Sequence, residues 1–214
     1  MKNKREKKRP GVIRRVFRAV GIVLAALLVL VGGLVVFLSV TEYRPAERET
    51  LTIEGEAART PAVGDTISIL TWNVGYGALG DNADFFMDGG KGVRTADRAR
   101  LEQNMAGIVA AVTSVSPDVL FVQEVDRDSA RSCRVDELAQ LRDAMPGYAS
   151  AYATNFKVAF VPYPVPPLGR VDSGLATFSS FAVSSAERLQ LPVPFKWPVR
   201  MANLKRGLLV FRVP

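Results

Sequence analysis

Ala19 to Val40 is a run of 22 residues with no charged side chain and a single hydroxyl, Ser39. A helix on the surface of a globular domain is apolar along one stripe, whereas this segment is apolar on every side. At about 1.5 Å per residue it spans about 33 Å as a helix, enough for a hydrocarbon core of about 30 Å. The apolar core of a cleavable signal is shorter, about 7–15 residues, and ends in a small-x-small site that has no clear counterpart here. The run therefore reads as a single-pass signal anchor in the cell membrane.

Charge gives the anchor a direction. Residues 1–18 hold nine Lys and Arg against Glu6, while the whole chain carries +7, so everything after Arg18 is close to neutral. The basic flank predicts a cytoplasmic amino end and an extracytoplasmic remainder. The overall basicity reports the tail, not a nucleic-acid groove, because duplex binding rests on many Lys and Arg contacts to phosphates. Residues 41–65, with Pro45, Pro61 and several Glu and Arg, read as a juxtamembrane spacer. Cys133 is the only cysteine, so no disulfide forms within the chain.

The domain expected over residues 66–214 is organised by two strand-to-loop stretches. In the first, Ile67, Ile69 and Thr71 alternate with Ser68, Leu70 and Trp72, then Asn73 meets the glycines of Val74-Gly75-Tyr76-Gly77. This predicts a core strand, a sharp turn, and Asn73 at the strand's carboxyl end, where open α/β sheets bind ligands. An amide there can offer its oxygen to a metal or its nitrogen to a phosphate; equally, it can cap the turn through its own backbone.

In the second stretch, Pro117-Asp118 leads into Val119-Leu120-Phe121-Val122 and then Gln123-Glu124. The unbroken apolar run predicts a strand buried on both faces. A carboxylate leaving such a strand is costly unless a cation meets it. Glu124 is thus a candidate ligand for a hard divalent ion such as Mg²⁺, or the partner of an arginine.

Between them, Leu101, Met105, Ile108, Val109 and Val112 recur at helical spacing, predicting a helix over residues 95–114 with Thr95 as its cap. A short helix is expected over 135–144, a polyproline-like crossing at 162–167 and further strands near 148–161, 173–181 and 206–214. Strand, helix and strand in this order make an α/β domain. The alternating charges of residues 126–136 read as a solvated surface. From that stretch, Arg127 or Arg131 is a candidate for meeting a substrate phosphate.

Trp72-Asn73, then a helix, then Gln123-Glu124 resembles the first two motifs of the endonuclease/exonuclease/phosphatase superfamily. Asn73-Val74-Gly75-Tyr76-Gly77-Ala78, Phe85-Phe86-Met87-Asp88-Gly89-Gly90 and Gln123-Glu124-Val125-Asp126-Arg127 are similar to its bacterial membrane-anchored branch. The resemblance implies a two-sheet α/β sandwich of the deoxyribonuclease I-like type. It implies metal-dependent hydrolysis of phosphoesters, with Asn73 and Glu124 on Mg²⁺ (or Mn²⁺ or Ca²⁺) and Asn155 and Arg127 toward the substrate. That substrate would be nucleic acid, a phospholipid head group or a soluble ester.

The chain contains no histidine. The resemblance places a histidine acid/base and further aspartates in the second half of the fold, so the chain is expected to carry about the first half and to lack the catalytic base. By itself it is expected to be inactive. The alternative is a non-catalytic exported binding module that keeps the fold.

Overall fold

The computed structural model describes residues 11–81, 83–86 and 89–214. It divides after Val40 into two compact units. The first is one helix, α1 (Val12–Val40), with a mean hydropathy of 3.0 over its most apolar window. By length and composition α1 can cross a membrane. The first ten residues of the basic tail lie outside the described residues, as do Asn82, Met87 and Asp88.

The second unit, Thr41–Pro214, contains β1 (Arg48–Thr50), β2 (Ile69–Asn73), α2 (Arg98–Val115), β3 (Val119–Asp126), α3 (Glu137–Ala144), β4 (Ala149–Val161), β5 (Gly169–Ser179), β6 (Ser185–Gln190) and β7 (Gly207–Arg212). One sheet has the order β2-β3-β5-β4; only its β2–β3 pair is parallel, joined through α2. The other is antiparallel, in the order β1-β6-β7. Two sheets with helices make the α/β architecture expected from the motifs.

Helix α2 buries the stripe read from its spacing: Leu101, Met105, Ile108 and Val112. The last three pack with Leu120, Val122 and Val125 of β3, Leu138 and Leu141 of α3, and Ala176 and Phe178 of β5. Its cap is Asp97, whose carboxylate accepts from the Arg100 N–H at 2.8 Å; Thr95 instead donates to the Ala78 carbonyl. Aspartate serves this position at least as well as threonine, because its charge also suits the positive end of the helix.

Several expectations are corrected. Strand β2 is an edge strand, and β3 is buried on one face only: Leu120 and Val122 face the helices, while Phe121 and the neighbouring Ile69 remain exposed. Residues 41–65 are not a free spacer. Strand β1 pairs with β6, Glu54 bridges to Ser150, and Arg59 bridges to Phe181. Residues 164–167 fold back in a turn instead of running extended. The charged stretch 126–136 is not simply a solvated surface, since Asp126, Ser129, Arg131 and Ser132 are buried.

Asp118 pins the entry to β2 and β3. Its carboxylate accepts from the Ser68 N–H (3.0 Å), the Ser68 hydroxyl (2.8 Å) and Arg59 (2.7 Å), and its N–H donates to the Ser68 hydroxyl. The Ser68 N–H, then Arg59 and the Ser68 hydroxyl, hold its pKa down to about 2. A carboxylate with a depressed folded pKa contributes stability above its ordinary value of 3.8, lost as pH falls toward 2. Asp118→Asn should cost about 1–2 kcal/mol at neutral pH and flatten this acid limb. Thermal melts of both proteins across that range check it; an unchanged acid limb would refute it.

Candidate metal and anion site

The loop after β2 puts three successive residues in the left-handed region: Gly75 (φ +53°), Tyr76 (φ +44°) and Gly77 (φ +62°). A Cβ on Gly77 would sit 2.9 Å from both Leu101 Cδ1 and Met105 Sδ, and its positive φ would strain any other residue, so glycine suits the close lie of this loop on α2. Tyr76 tolerates its conformation because its ring is held on both sides. Phe85 meets it edge-on at 5.9 Å, and the Arg131 guanidinium lies 3.7 Å from its centre. Asn73 Oδ1 accepts from the Gly75 N–H at 3.0 Å. It therefore caps the turn and retains a second lone pair on that oxygen.

In the parallel ladder Asn73 is opposite Gln123, so strict alternation would send the next residue, Glu124, to the other face of the sheet. The chain breaks that alternation at Glu124 itself. Its φ is +57°, and the β3–β5 register shifts between Gln123 and Val125. A bulge with a left-handed non-glycine residue re-aims a side chain at a conformational cost. As a result Asn73 and Glu124 line the same two hollows. One, of about 740 Å³, lies against α2 at Gln103, Asn104 and Gly107. The other, of about 370 Å³, is bounded by Tyr76, Phe85, Arg131, Asn155, Ser173 and Arg206.

Of the two arginines that the sequence offered for a phosphate, Arg131 is the one that lines this second hollow. Its Nε and one terminal nitrogen donate to the two carboxylate oxygens of Asp126, each at 2.9 Å, and that terminal nitrogen also donates to Ser173 Oγ at 3.1 Å. Left-handed Cys133 and Arg134 (φ +51° and +58°) turn the following chain back. Arg127 instead lies with its guanidinium 5.2 Å from the Tyr152 ring centre and lines a separate hollow with Thr50 and Arg142. Asn155 lies at a bulge of β4; its Oδ1 accepts from the Gly207 N–H at 2.8 Å, tying β4 to β7.

Among the described residues, no three acidic, histidine or cysteine side chains gather around one point. The strand tips bring the Glu124 carboxylate and the Asn73 amide oxygen to the hollow, beside the polar side chains of Gln123, Asn155 and Ser173. That set fits a hard cation such as Mg²⁺, which takes one or two carboxylates and keeps several waters. Arg131 and Arg206, which line the same hollow, suit an anion there.

The sequence matches the family model of the endonuclease/exonuclease/phosphatase family over residues 70–211. The chain belongs to this family. Two solved structures are similar at low identity. One is an endonuclease/exonuclease/phosphatase from Beutenbergia cavernae DSM 12333, with 18% identity, a TM-score of 0.36, and coverage of 60% of this chain and 35% of that one. The other is an endonuclease/exonuclease/phosphatase family protein from Leptotrichia buccalis C-1013-b, with 11% identity, a TM-score of 0.34, and coverage of 60% and 51%. The chain thus spans about a third to a half of these family structures. No curated protein matches.

Beneath the site, Glu137 is fully buried. Its Oε2 accepts from the Asp126 N–H at 2.9 Å, while Oε1 has no hydrogen-bond partner among the described residues. Burial, reinforced by the Asp126 carboxylate, pushes its pKa well above the ordinary 4.5. An acid with a raised folded pKa contributes stability at low pH that disappears as pH rises through the folded value. Glu137→Gln keeps an acceptor and cannot ionise. It should melt close to the parent near pH 4.5 and above it in alkaline buffer, whereas Glu137→Ala should cost about 1–3 kcal/mol. Parallel melting curves for parent and glutamine variant at all pH values would refute this.

Proposed function

We propose that this protein is a membrane-anchored, extracytoplasmic phosphoesterase that works with Mg²⁺ (or Mn²⁺ or Ca²⁺). The reading rests above all on one observation: Asn73 and Glu124, from neighbouring strands, line one hollow together with Arg131 and Arg206. Family membership supports the reaction class, and the apolar span of α1 supports the anchor.

In this reading Glu124 supplies the anionic ligand and Asn73 a neutral one, and the bound cation would lower the pKa of a water and offset charge on the phosphoryl oxygens. Asn73 stays oriented because Gly75 holds its oxygen, and the bulge fixes Glu124 beside it. Arg131, held by Asp126 and Ser173 through Nε and one terminal nitrogen, would offer an anion the N–H donors of its other terminal nitrogen without having to reorganise. Asn155, held through its oxygen by Gly207, has its NH₂ group to donate to the ester. Arg127 would act only on a substrate long enough to reach the neighbouring hollow.

The 214 residues contain no histidine, and none of the side chains lining the hollow is a ready general base apart from Glu124 itself. This absence favours, as a second reading, cation-dependent phosphate binding without turnover by these residues. Calorimetric titration of the full 214-residue chain in detergent separates the possibilities. Mn²⁺ should bind, Glu124→Gln should weaken it by about tenfold or more, and inorganic phosphate should bind more tightly when the ion is present. Equal Mn²⁺ binding by parent and Glu124→Gln would overturn the site. Mg²⁺-dependent hydrolysis of bis(p-nitrophenyl) phosphate by these residues alone would show that they contain a sufficient base.

A further inference from the structure

Residues 191–206 connect β6 to β7 and contain Lys196, Arg200, Lys205 and Arg206 without one acidic residue. They also display apolar surface that nothing in the unit covers. Trp197 is 60% exposed and Val199 55%, and Leu191 of the same segment is exposed as well. A tryptophan between a lysine and an arginine on an exposed loop is poorly explained by folding stability. Most of it lies in solvent, and an apolar patch rimmed by charge marks a binding surface.

The loop is also fixed in place. Glu42, whose side chain is only 2% exposed, pairs with Arg200 at 3.3 Å and with Lys205 at 3.5 Å. The Lys205 ammonium also donates to the Arg200 carbonyl, and the Lys205 backbone N–H donates to the Asn155 carbonyl at 2.8 Å.

We propose that the 191–206 loop is a membrane-surface contact: Trp197 and Val199 enter the interfacial layer of the bilayer and Lys196 meets anionic lipid phosphates. The inference rests on the anchor reading of α1 and adds a second attachment point. The occupant is lipid, because the segment combines an interface-seeking indole, aliphatic neighbours and a one-signed charge. A loop so attached would restrain how the domain, and hence the Asn73–Glu124 hollow, turns relative to the lipid surface.

The test uses the full chain reconstituted into vesicles of dioleoyl phosphatidylcholine and dioleoyl phosphatidylglycerol in equal amounts. The chain has two tryptophans, Trp72 and Trp197, so the emission difference between the parent and Trp197→Phe isolates the loop. Lipids brominated near the head-group end of the acyl chain should quench most of that difference, and acrylamide should lose access to it relative to detergent micelles. Lys196→Glu should weaken the lipid quenching on these vesicles and leave it unchanged on phosphatidylcholine alone. Emission that brominated lipid leaves untouched and acrylamide still quenches overturns the proposal. So does a blue shift that depends on protein-to-lipid ratio without lipid quenching, which would mean a second copy covers the loop. Carbonate extraction of the same vesicles reads the anchor separately. Retention with unquenched Trp197 leaves the anchor standing and removes the loop contact. Release with quenching beforehand removes the anchor and leaves the loop contact standing.

Discussion

The site depends on one backbone distortion, the left-handed bulge at Glu124 in the middle of the sheet. A regular strand would present Gln123 beside Asn73 and aim Glu124 into the helix-facing core, where a carboxylate has no water and no partner. The bulge instead brings the carboxylate to the hollow that Asn73 also lines. Such a conformation, of order 1–3 kcal/mol unfavourable for a non-glycine residue, persists only where the surroundings over-determine it. Here β2 and β5 hydrogen-bond to β3 on either side, and Leu120, Val122 and Val125 are wholly buried around it.

The same reasoning explains the polar cluster beneath. Asp126 is buried two residues beyond the bulge and is neutralised by the fork of Arg131, with Ser132 donating to it at 3.0 Å. Arg131 in turn packs on Tyr76, whose strained turn follows Asn73. One chain of contacts therefore runs from the end of β2 to the end of β3. Glu137 closes it from below by accepting the Asp126 N–H. Asn73, Glu124 and the Arg131 guanidinium are tied together by a network whose members are mostly buried, which is how a small hollow keeps its shape.

Much of this was legible in the residues. Periodicity located α2 and its buried stripe, and the order of strand, helix and strand gave the α/β class. Asn73 and Glu124 stood out because polar groups at strand tips are rarely idle. Other features were hidden for physical reasons. Alternation within a sequence cannot tell an edge strand from a central one, so β2 and β3 were read as more deeply buried than they are. Composition marked residues 41–65 as a spacer, yet β1 needs only three residues to join a sheet and its pairing partner lies near residue 188. Alternating charges around Arg127 and Arg131 look the same whether solvated or paired. In the fold Arg131 turns inward onto Asp126, while Arg127 lies over the Tyr152 ring.

The central claim is that Asn73 and Glu124 share one cation. Mn²⁺ added in substoichiometric amounts to the isotopically labelled chain in micelles tests it directly, because the ion broadens nearby amide resonances. The account predicts that signals of Asn73 to Gly75 and Gln123 to Val125 disappear first and together, and that Glu124→Gln abolishes the effect. Broadening centred elsewhere, such as on the acidic loop around Asp81 and Asp84, or at only one of the two strand ends, would contradict it.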